Sequence, residues 1–217
     1  MRALVTGGNR GIGHAIAQGL IARGVDVVIG VRDVAAGAEA AQSLGCTAVH
    51  LDLEAPDSFA PAIAQAGNID ILINNAGILI EDSMITHPDG LRRSMQVMFH
   101  APFELILLCL PHMQRVGAGR IINLSSGWGA YSEGMEGPGG YGVAKAALNA
   151  LSHALPRDLP DGVSINAMCP GWVHTRMGGQ AAPRTPEQGA DTAIWLALDA
   201  PSEVTGKFFR DRTEKAW

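Results

Sequence analysis

Short apolar runs alternate with longer amphipathic stretches along the whole chain of 217 residues. The apolar runs lack strict alternation, which is typical of parallel strands that are buried on both faces. The stretches between them have helical periodicity, so the order argues for a parallel sheet covered by helices on both sides. Strands are predicted at Ala3–Thr6, Val25–Val31, Ala48–Leu51, Ile69–Asn74, Arg120–Leu124 and Val163–Met168, with a short last strand at Thr205–Phe209; helices are predicted at Gly11–Ala22, Ala35–Leu44, Asp57–Ala66, Pro88–Gln114, Gly139–Leu155 and Pro186–Leu198.

No long linker, charge block, low-complexity segment or internal repeat divides the chain, so we expect residues 1–217 to form one domain. Two stretches rich in Gly and Pro, Ser126–Gly140 and Gly178–Pro186, follow predicted strands. Ligands of such sheets bind outside the carboxyl ends of the strands. These two loops are therefore the candidates for substrate contact.

Composition excludes several classes of function. The formal charge of −5 and the lack of a basic run argue against nucleic acid as a partner. No run approaches the roughly 18–20 apolar residues needed to cross a bilayer, and the N-terminus reads as a strand instead of a signal peptide. The three cysteines, Cys46, Cys109 and Cys169, are scattered and odd in number, which suits reduced thiols. We expect a cytoplasmic protein without membrane contact.

A glycine-rich loop, Thr6–Gly13, links the first predicted strand to the first helix. Glycines permit a tight turn and let backbone N–H groups approach a pyrophosphate at the helix N-terminus. The spacing is G-x3-G-x-G, which differs from the general dinucleotide fingerprint G-x-G-x-x-G. A tight turn without a ligand is the alternative for the glycines alone, but the strand before and the helix after favour a nucleotide.

The end of the second strand bears on the choice of nucleotide. An NAD site usually places an acidic side chain there, whereas an arginine accommodates the 2′-phosphate of NADP. Val31 is uncharged, Arg32 follows it, and Arg10 lies in the glycine loop, so two guanidiniums favour NADP(H). In the alternative, both arginines are solvated and Asp33 caps the next helix.

Tyr141 and Lys145 are four residues apart in a predicted helix, so they share one face of it. A free tyrosine has a pKa near 10, which makes it a poor acid or base at neutral pH. An ammonium one turn away is expected to lower the pKa of the phenol and permit proton exchange with an alcohol or ketone oxygen.

Five motifs occur in an order that resembles the short-chain dehydrogenase/reductase family: the glycine loop, Asn74–Gly77, Ser125–Ser126, Tyr141 with Lys145, and Pro170–Gly171. The segments after Cys169 look most like the carbonyl-reductase branch. The resemblance implies a Rossmann-type, doubly wound parallel sheet of about seven strands in a three-layer α/β/α arrangement. It also implies oxidoreduction between a carbonyl compound and an alcohol.

The resemblance also implies roles for single residues. Ser126 would orient the substrate oxygen, Tyr141 would donate or accept its proton, and Lys145 would bond the nicotinamide ribose. Tyr131 is a rival tyrosine, but Met135 stands four residues later where a lysine is needed. The implied NADP(H)-binding residues are Gly7, Asn9, Arg10, Gly11, Ile12, Gly13, Arg32, Asp52, Leu53, Asn75, Ala76, Gly77, Tyr141, Lys145, Pro170, Gly171, Val173 and Thr175.

One position departs from the family pattern. Met98 stands where the family usually has an asparagine, which helps to hold a water that connects the lysine to solvent, partly through its main-chain carbonyl. Met98 keeps a carbonyl but lacks the amide, and its bulky thioether could reshape the pocket floor. The hypothesis is a weakened proton relay with the hydride chemistry retained.

A hydrophobic or aromatic carbonyl compound is the expected substrate, although packing is as good an explanation for any one of the apolar loop residues. Family members often form homodimers or homotetramers through the helices that match Pro88–Gln114 and Gly139–Leu155, while the carbonyl-reductase branch includes monomers. The residues expected around the substrate pocket are Met98, Trp128, Tyr131, Met135, Trp172 and Met177.

Other classes of function fit less well. A serine hydrolase lacks support, because no glycine lies two residues before Ser125 or Ser126 in a G-x-S-x-G motif. No H-E-x-x-H motif or paired C-x-x-C motif indicates a metal site. A non-catalytic NADP-binding regulatory protein of the same fold remains the alternative, with Met98 as its main support.

Overall fold

The computed structural model describes every residue from Met1 to Trp217 and confirms the predicted alternation of strands and helices. All six longer strands and all six helices predicted from the pattern are present, most within two residues of the expected bounds. The strands are β1 Arg2–Thr6, β2 Asp26–Val31, β3 Thr47–His50, β4 Ile71–Asn74, β5 Gly119–Leu124, β6 Val163–Met168, β7 Lys207–Arg210 and β8 Thr213–Lys215; the helices are α1 Gly11–Ala22, α2 Val34–Leu44, α3 Phe59–Ala66, α4 Pro88–Met95, α5 Ala101–Val116, α6 Tyr141–Ala154 and α7 Pro186–Leu198.

The strands form one sheet in the order β3-β2-β1-β4-β5-β6-β7-β8, and the first seven are parallel. This order reverses direction between β1 and β4, as a doubly wound Rossmann-type sheet requires. The eighth strand, which the sequence pattern did not predict, pairs antiparallel with β7. Its three residues are exposed and polar, and the turn before it uses Asp211 and Arg212 at positive φ in place of glycines. Neither the apolar-run signal nor the usual turn signal was therefore present.

The helix predicted as Pro88–Gln114 is divided into α4 and α5 by a π-helical segment at Gln96–His100. Pro102 explains part of this break, because it has no N–H to donate to the carbonyl of Met98, four residues earlier. The N–H of Ala101 instead reaches the carbonyl of Gln96, five residues earlier. Such π-segments are often found at functional sites.

The continuous helical path Pro88–Val116 has 29 residues and is long and apolar enough to cross a membrane by length and composition, which the sequence analysis did not expect. However, 44% of its most apolar window is buried inside the protein. Core helices of soluble proteins meet the same criterion, so this feature gives only weak support to a membrane span.

Two hydrophobic clusters of 22 buried residues each lie on opposite faces of the sheet. Helices α1, α2 and α7 cover one face, and α3, α5 and α6 with the π-segment cover the other. A third, small cluster contains Ala130, Cys169 and Phe208 under the partly buried Trp217. Because seven strands are parallel and covered on both faces, their carboxyl ends share one edge, where the loops after β1, β4, β5 and β6 meet.

Candidate active site

The glycine loop turns sharply from β1 into α1 at the carboxyl edge of the sheet. Gly7 and Gly11 have φ of +66° and +55°, a backbone conformation that disfavours other residues. A Cβ atom on Gly13 would overlap the side chain of Asn75 and the carbonyl of Gly7. Arg10, at the N-cap of α1, provides no side-chain acceptor, so the first-turn N–H groups lack a side-chain cap. This arrangement fits an anion such as a pyrophosphate.

Asn75 and Ala76 hold the glycine loop against the end of β4. The Asn75 side chain donates to the Thr6 carbonyl at 2.7 Å, and the backbone N–H groups of Asn75 and Ala76 each donate to the Thr6 hydroxyl at 3.0 Å. On the other side of the loop, a Cβ atom on Gly11 would lie 3.3 Å from the methyl group of Thr175. The structure therefore brings together predicted cofactor residues that are up to about 170 positions apart.

The loops after β2 and β3 place the other predicted nucleotide residues. Asp33 accepts from the N–H groups of Ala35 and Ala36 at 3.0 and 3.1 Å, so it caps α2, as the alternative for this residue stated. Asp52 accepts from the N–H of Glu54 at 3.0 Å and shapes the turn after β3. Leu53 is buried, whereas Arg10 and Arg32 are exposed at the surface. Both guanidiniums face solvent, and that of Arg32 also approaches the Glu54 carboxylate at 3.4 Å.

Ser126, Tyr141 and Lys145 come from the loop after β5 and from the first turn and a half of α6. The Ser126 hydroxyl accepts from the N–H of Trp128 at 3.2 Å, which orders the start of the loop. Tyr141 and Lys145 are 8% and 4% exposed. The Lys145 Nζ atom lies 5.8 Å from the centroid of the Tyr141 ring and donates to the carbonyl of Leu124 at 2.5 Å.

Burial dominates the protonation of both groups. It raises the pKa of Tyr141 to about 12, while a hydrogen bond with the Ser126 hydroxyl acts in the opposite direction. Burial also lowers the pKa of Lys145 to about 8. The expectation that the pKa of the phenol lies below its ordinary value is therefore wrong for this arrangement, because desolvation outweighs the hydrogen bond with Ser126. At neutral pH the phenol carries its proton and can donate it.

Met98 is completely buried in the second hydrophobic cluster, behind the site. A Cβ atom on Gly77 would lie 3.4 Å from the Met98 sulfur and 3.8 Å from the Lys145 Nζ atom. The thioether thus contributes to the apolar surroundings of the lysine. Its prediction as a residue lining the open substrate pocket is corrected, since no part of its side chain is accessible.

The other apolar residues predicted around the pocket differ in exposure. Trp128 is 45% exposed, and its ring stands perpendicular to that of Tyr141 with centroids 6.0 Å apart. Trp172 is 57% exposed and donates its indole N–H to the Gly178 carbonyl at 2.8 Å, which fixes the ring. Met177 is exposed, Met135 is half-buried at a φ of +56°, and Tyr131 is 80% exposed. Only Trp128 is in aromatic contact with the predicted proton donor.

Cys169 and Arg210 are site residues that sequence reasoning missed. The Cys169 sulfur accepts from the N–H groups of Gly127 and Gly171 at 3.3 and 3.4 Å and from the Arg210 guanidinium at 3.3 Å. Arg210 also pairs with Glu133 at 2.7 Å. The sulfur thereby connects the loop after Ser126 with the loop after β6. The position of Cys169 directly before Pro170–Gly171 was a signal for the cysteine, but nothing in the sequence indicated Arg210.

Known proteins resemble this chain over nearly its whole length. The profile of the short chain dehydrogenase family matches residues 1–185. Carbonyl reductase [NADPH] 1 of Mus musculus is 29% identical, with 99% of this chain and 98% of that protein covered. The rhamnolipids biosynthesis 3-oxoacyl-[acyl-carrier-protein] reductase of Pseudomonas aeruginosa is 36% identical, with 94% and 91% covered.

Solved structures agree with these relatives. A short chain dehydrogenase/reductase family protein has a TM-score of 0.89 at 33% identity, covering 96% of this chain and 94% of its own. The Pseudomonas aeruginosa RhlG/NADP active-site complex has a TM-score of 0.84 at 33% identity, covering 95% and 93%. The chain belongs to the short-chain dehydrogenase/reductase family and has the fold of an oxidoreductase of that family.

Proposed function

We propose that this protein is an NADP(H)-dependent oxidoreductase that interconverts a ketone or aldehyde and an alcohol. The observation that carries the proposal is the buried phenol of Tyr141, which shares a hydrogen bond with the Ser126 hydroxyl and lies beside Lys145 at the carboxyl edge of the sheet. A loop suited to a pyrophosphate opens onto the same edge. A proton donor and a dinucleotide site at one edge are what carbonyl reduction requires.

The choice of NADP(H) rests on charge and on the relatives. Arg10 and Arg32 are exposed guanidiniums on the two loops that flank the adenosine end of such a site. Carbonyl reductase [NADPH] 1 and the RhlG/NADP complex are named for the same cofactor. When bound, the cofactor supplies the hydride, because the protein has no hydride donor of its own.

Each residue of the proposed triad acts on the substrate oxygen or on its proton. The Ser126 hydroxyl donates a hydrogen bond that orients the carbonyl oxygen. Tyr141 transfers its phenolic proton to this oxygen during reduction and takes it back during oxidation. Lys145, whose ammonium lies one helical turn away, supports the phenolate that remains after the transfer. The raised pKa of Tyr141 keeps the proton on the phenol until the substrate oxygen, on gaining the hydride, becomes the stronger base.

In this proposal, Met98 lowers the rate of turnover. The side chain adds apolar surface beside Lys145 and brings no polar group that could hold a water. Its carbonyl is left without an α-helical donor, because the residue four positions later is Pro102. A carbonyl that lacks its helical partner can accept from water. Resupply of the proton is thus weakened but not removed.

The substrate is proposed to be a hydrophobic or aromatic carbonyl compound. Trp128 presents a half-exposed ring perpendicular to that of Tyr141, and Trp172 is held by its indole hydrogen bond in the loop after β6. Such rigid aromatic surfaces favour flat, apolar ligands. The relatives name two classes of substrate, carbonyl compounds and 3-oxoacyl chains on a carrier protein, so both belong in the test.

The alternative of a non-catalytic NADP-binding regulator has no comparable support. All three predicted catalytic side chains occupy one region of the structure, and the named relatives are reductases. This alternative predicts cofactor binding without turnover.

The test follows the near-ultraviolet absorbance of NADPH and, separately, of NADH during incubation with a panel of aldehydes, ketones and 3-oxoacyl thioesters. The proposal expects NADPH absorbance to decline with at least one aromatic or apolar carbonyl compound. Binding of NADPH without oxidation by any member of the panel would favour the regulator and reject the proposed reaction.

A further inference from the structure

The carboxylate of Glu54 lies between two guanidiniums at the proposed adenosine end of the site. Arg93 donates to it through Nε at 2.6 Å and through Nη2 at 3.3 Å. Arg32 approaches the same carboxylate through Nη1 at 3.4 Å. Glu54 therefore accepts two bonds from α4 and one long bond from the end of β2.

The two ion pairs are unequal. The Arg93 guanidinium donates two hydrogen bonds to the Glu54 carboxylate. Arg32 makes one long contact with it, and 66% of the Arg32 side chain is exposed. The hydrogen bond from Arg93 is the main reason why the pKa of Glu54 lies below its ordinary value. Glu54 thus remains a carboxylate at neutral pH, and its stronger partner is Arg93.

We infer that Glu54 and Arg93 set how strongly the protein prefers NADPH over NADH. The inference rests on the proposed function, in which Arg32 receives the 2′-phosphate. Glu54 is a competing anion, because it neutralises part of the charge of Arg32 and repels a phosphate bound there. Arg93 is a positioning residue that draws Glu54 away from Arg32 and so frees that guanidinium for the phosphate.

The order of effects follows from this geometry. Removing the charge of Glu54 leaves Arg32 fully available to the phosphate. Removing Arg93 alone releases the carboxylate to Arg32 and strengthens the competition. Removing both groups again leaves Arg32 without a competitor, so the effect of losing Arg93 disappears. NADH has no 2′-phosphate and is insensitive to all three changes.

Isothermal titration calorimetry with NADPH and with NADH tests the inference on the intact protein without any turnover. Glu54→Gln is expected to tighten NADPH binding by about three- to fivefold, and Arg93→Gln to weaken it by a similar factor, as exposed ion pairs permit. The double variant should match Glu54→Gln, and NADH affinity should stay constant throughout. Arg92→Gln, on the adjacent residue that pairs with Asp89, is the matched control and should change neither affinity.

Unchanged or weaker NADPH binding by Glu54→Gln would overturn the role of Glu54 as a competitor. If Arg93→Gln weakens NADPH binding equally in the Glu54→Gln background, Arg93 contacts the phosphate directly and its positioning role is wrong. The proposed reaction fails separately: if no carbonyl compound oxidises NADPH while the affinity shifts appear, the reaction is rejected and the inference stands.

Discussion

The Lys145 ammonium donates a hydrogen bond of 2.5 Å to the carbonyl of Leu124, the last residue of β5. This bond ties the first turns of α6 to the strand that leads into Ser126. Lys145 is 4% exposed, and its other surroundings include the sulfur of Met98 near Gly77. The ammonium thus sits in largely apolar surroundings, and its desolvation makes the charge costly to keep.

The pH dependence of stability should show this cost. Burial holds the pKa of Lys145 at about 8 in the folded chain, below its ordinary value of 10.5. Between these values the unfolded chain binds more protons, so the free energy of unfolding rises with pH. Below about pH 8 the lysine is charged in both states, and the full cost of burial is present. The rise between pH 8 and 10 should reach roughly 2–3 kcal/mol, measured by denaturant unfolding.

Lys145→Met is the matched variant for this measurement, because it keeps the length of the side chain without the charge. The variant should lack the rise in stability, so that its difference from the natural chain changes most between pH 8 and 10. Parallel pH profiles for the two chains would show that Lys145 is not the cause.

Tyr141→Phe should bind NADPH with unchanged affinity and lose carbonyl reduction by about 10²–10⁴-fold, the usual contribution of a positioned proton donor. The phenol makes no hydrogen bond that holds the backbone, and its ring packing against Trp128 is kept. Calorimetry measures the binding, and NADPH absorbance measures the turnover. Tyr131→Phe is the control, since it removes the exposed hydroxyl of the rival tyrosine, keeps the ring that is predicted near the pocket, and should leave the rate unchanged. Equal rates for Tyr141→Phe and the natural chain would refute the assignment.

Met98→Asn should raise turnover several-fold, because an amide beside Lys145 can hold the water that the thioether excludes. The same change should lower stability by about 1–3 kcal/mol, since Met98 is fully buried and the amide loses packing and solvation. Steady-state kinetics and thermal unfolding separate the two effects. Met98→Leu keeps the apolar volume and should leave turnover unchanged. An unchanged or lower rate for Met98→Asn would reject the weakened-relay hypothesis.

Arg210→Met should reduce kcat about tenfold with little change in cofactor affinity, because a small displacement of an orienting group is costly. The Arg210 guanidinium bonds Glu133 and the Cys169 sulfur, and both contacts hold the loop that begins at Ser126. Arg210→Lys should recover part of the rate by restoring the charge. Arg212→Met, on the neighbouring residue that pairs with Asp191, is the control. If the control loses as much activity, the effect is one of general stability.

The pattern of strands and helices was predictable, because buried strands and buried helix faces require apolar residues at characteristic spacings. Apolar runs such as Val163–Met168 and periodic stretches such as Gly11–Ala22 have the same bounds in the sequence pattern and in the structure. The π-segment was not predictable from periodicity, since five residues at Gln96–His100 change the hydrogen bonds without changing the apolar content. The β8 strand forms because it pairs with β7, and its own polar residues give no strand pattern from which this pairing could be predicted.

The candidate site likewise has features that the sequence predicts and features that depend on tertiary packing. The order of the glycine loop, Asn75, Ser126, Tyr141 and Pro170 is a property of the sequence, because each motif follows its own strand or opens its own helix. The direction of the pKa shift of Tyr141, in contrast, could not be read from the sequence. The four-residue spacing to Lys145 predicted a lower pKa for the phenol. In the structure the surrounding packing limits how much water reaches the phenol, and this burial raises its pKa.

The sequence by itself determined the family, the direction of the sheet and the identities of the proposed proton donor and its lysine, since these depend on residue types at local spacings. Only the tertiary structure decided that Met98 is buried behind Lys145, that Cys169 and Arg210 hold the loop after Ser126, and that Glu54 lies between two arginines. Those contacts join residues that are distant in the chain. Their distances and their exposure to water exist only once the sheet has brought the loops to one edge.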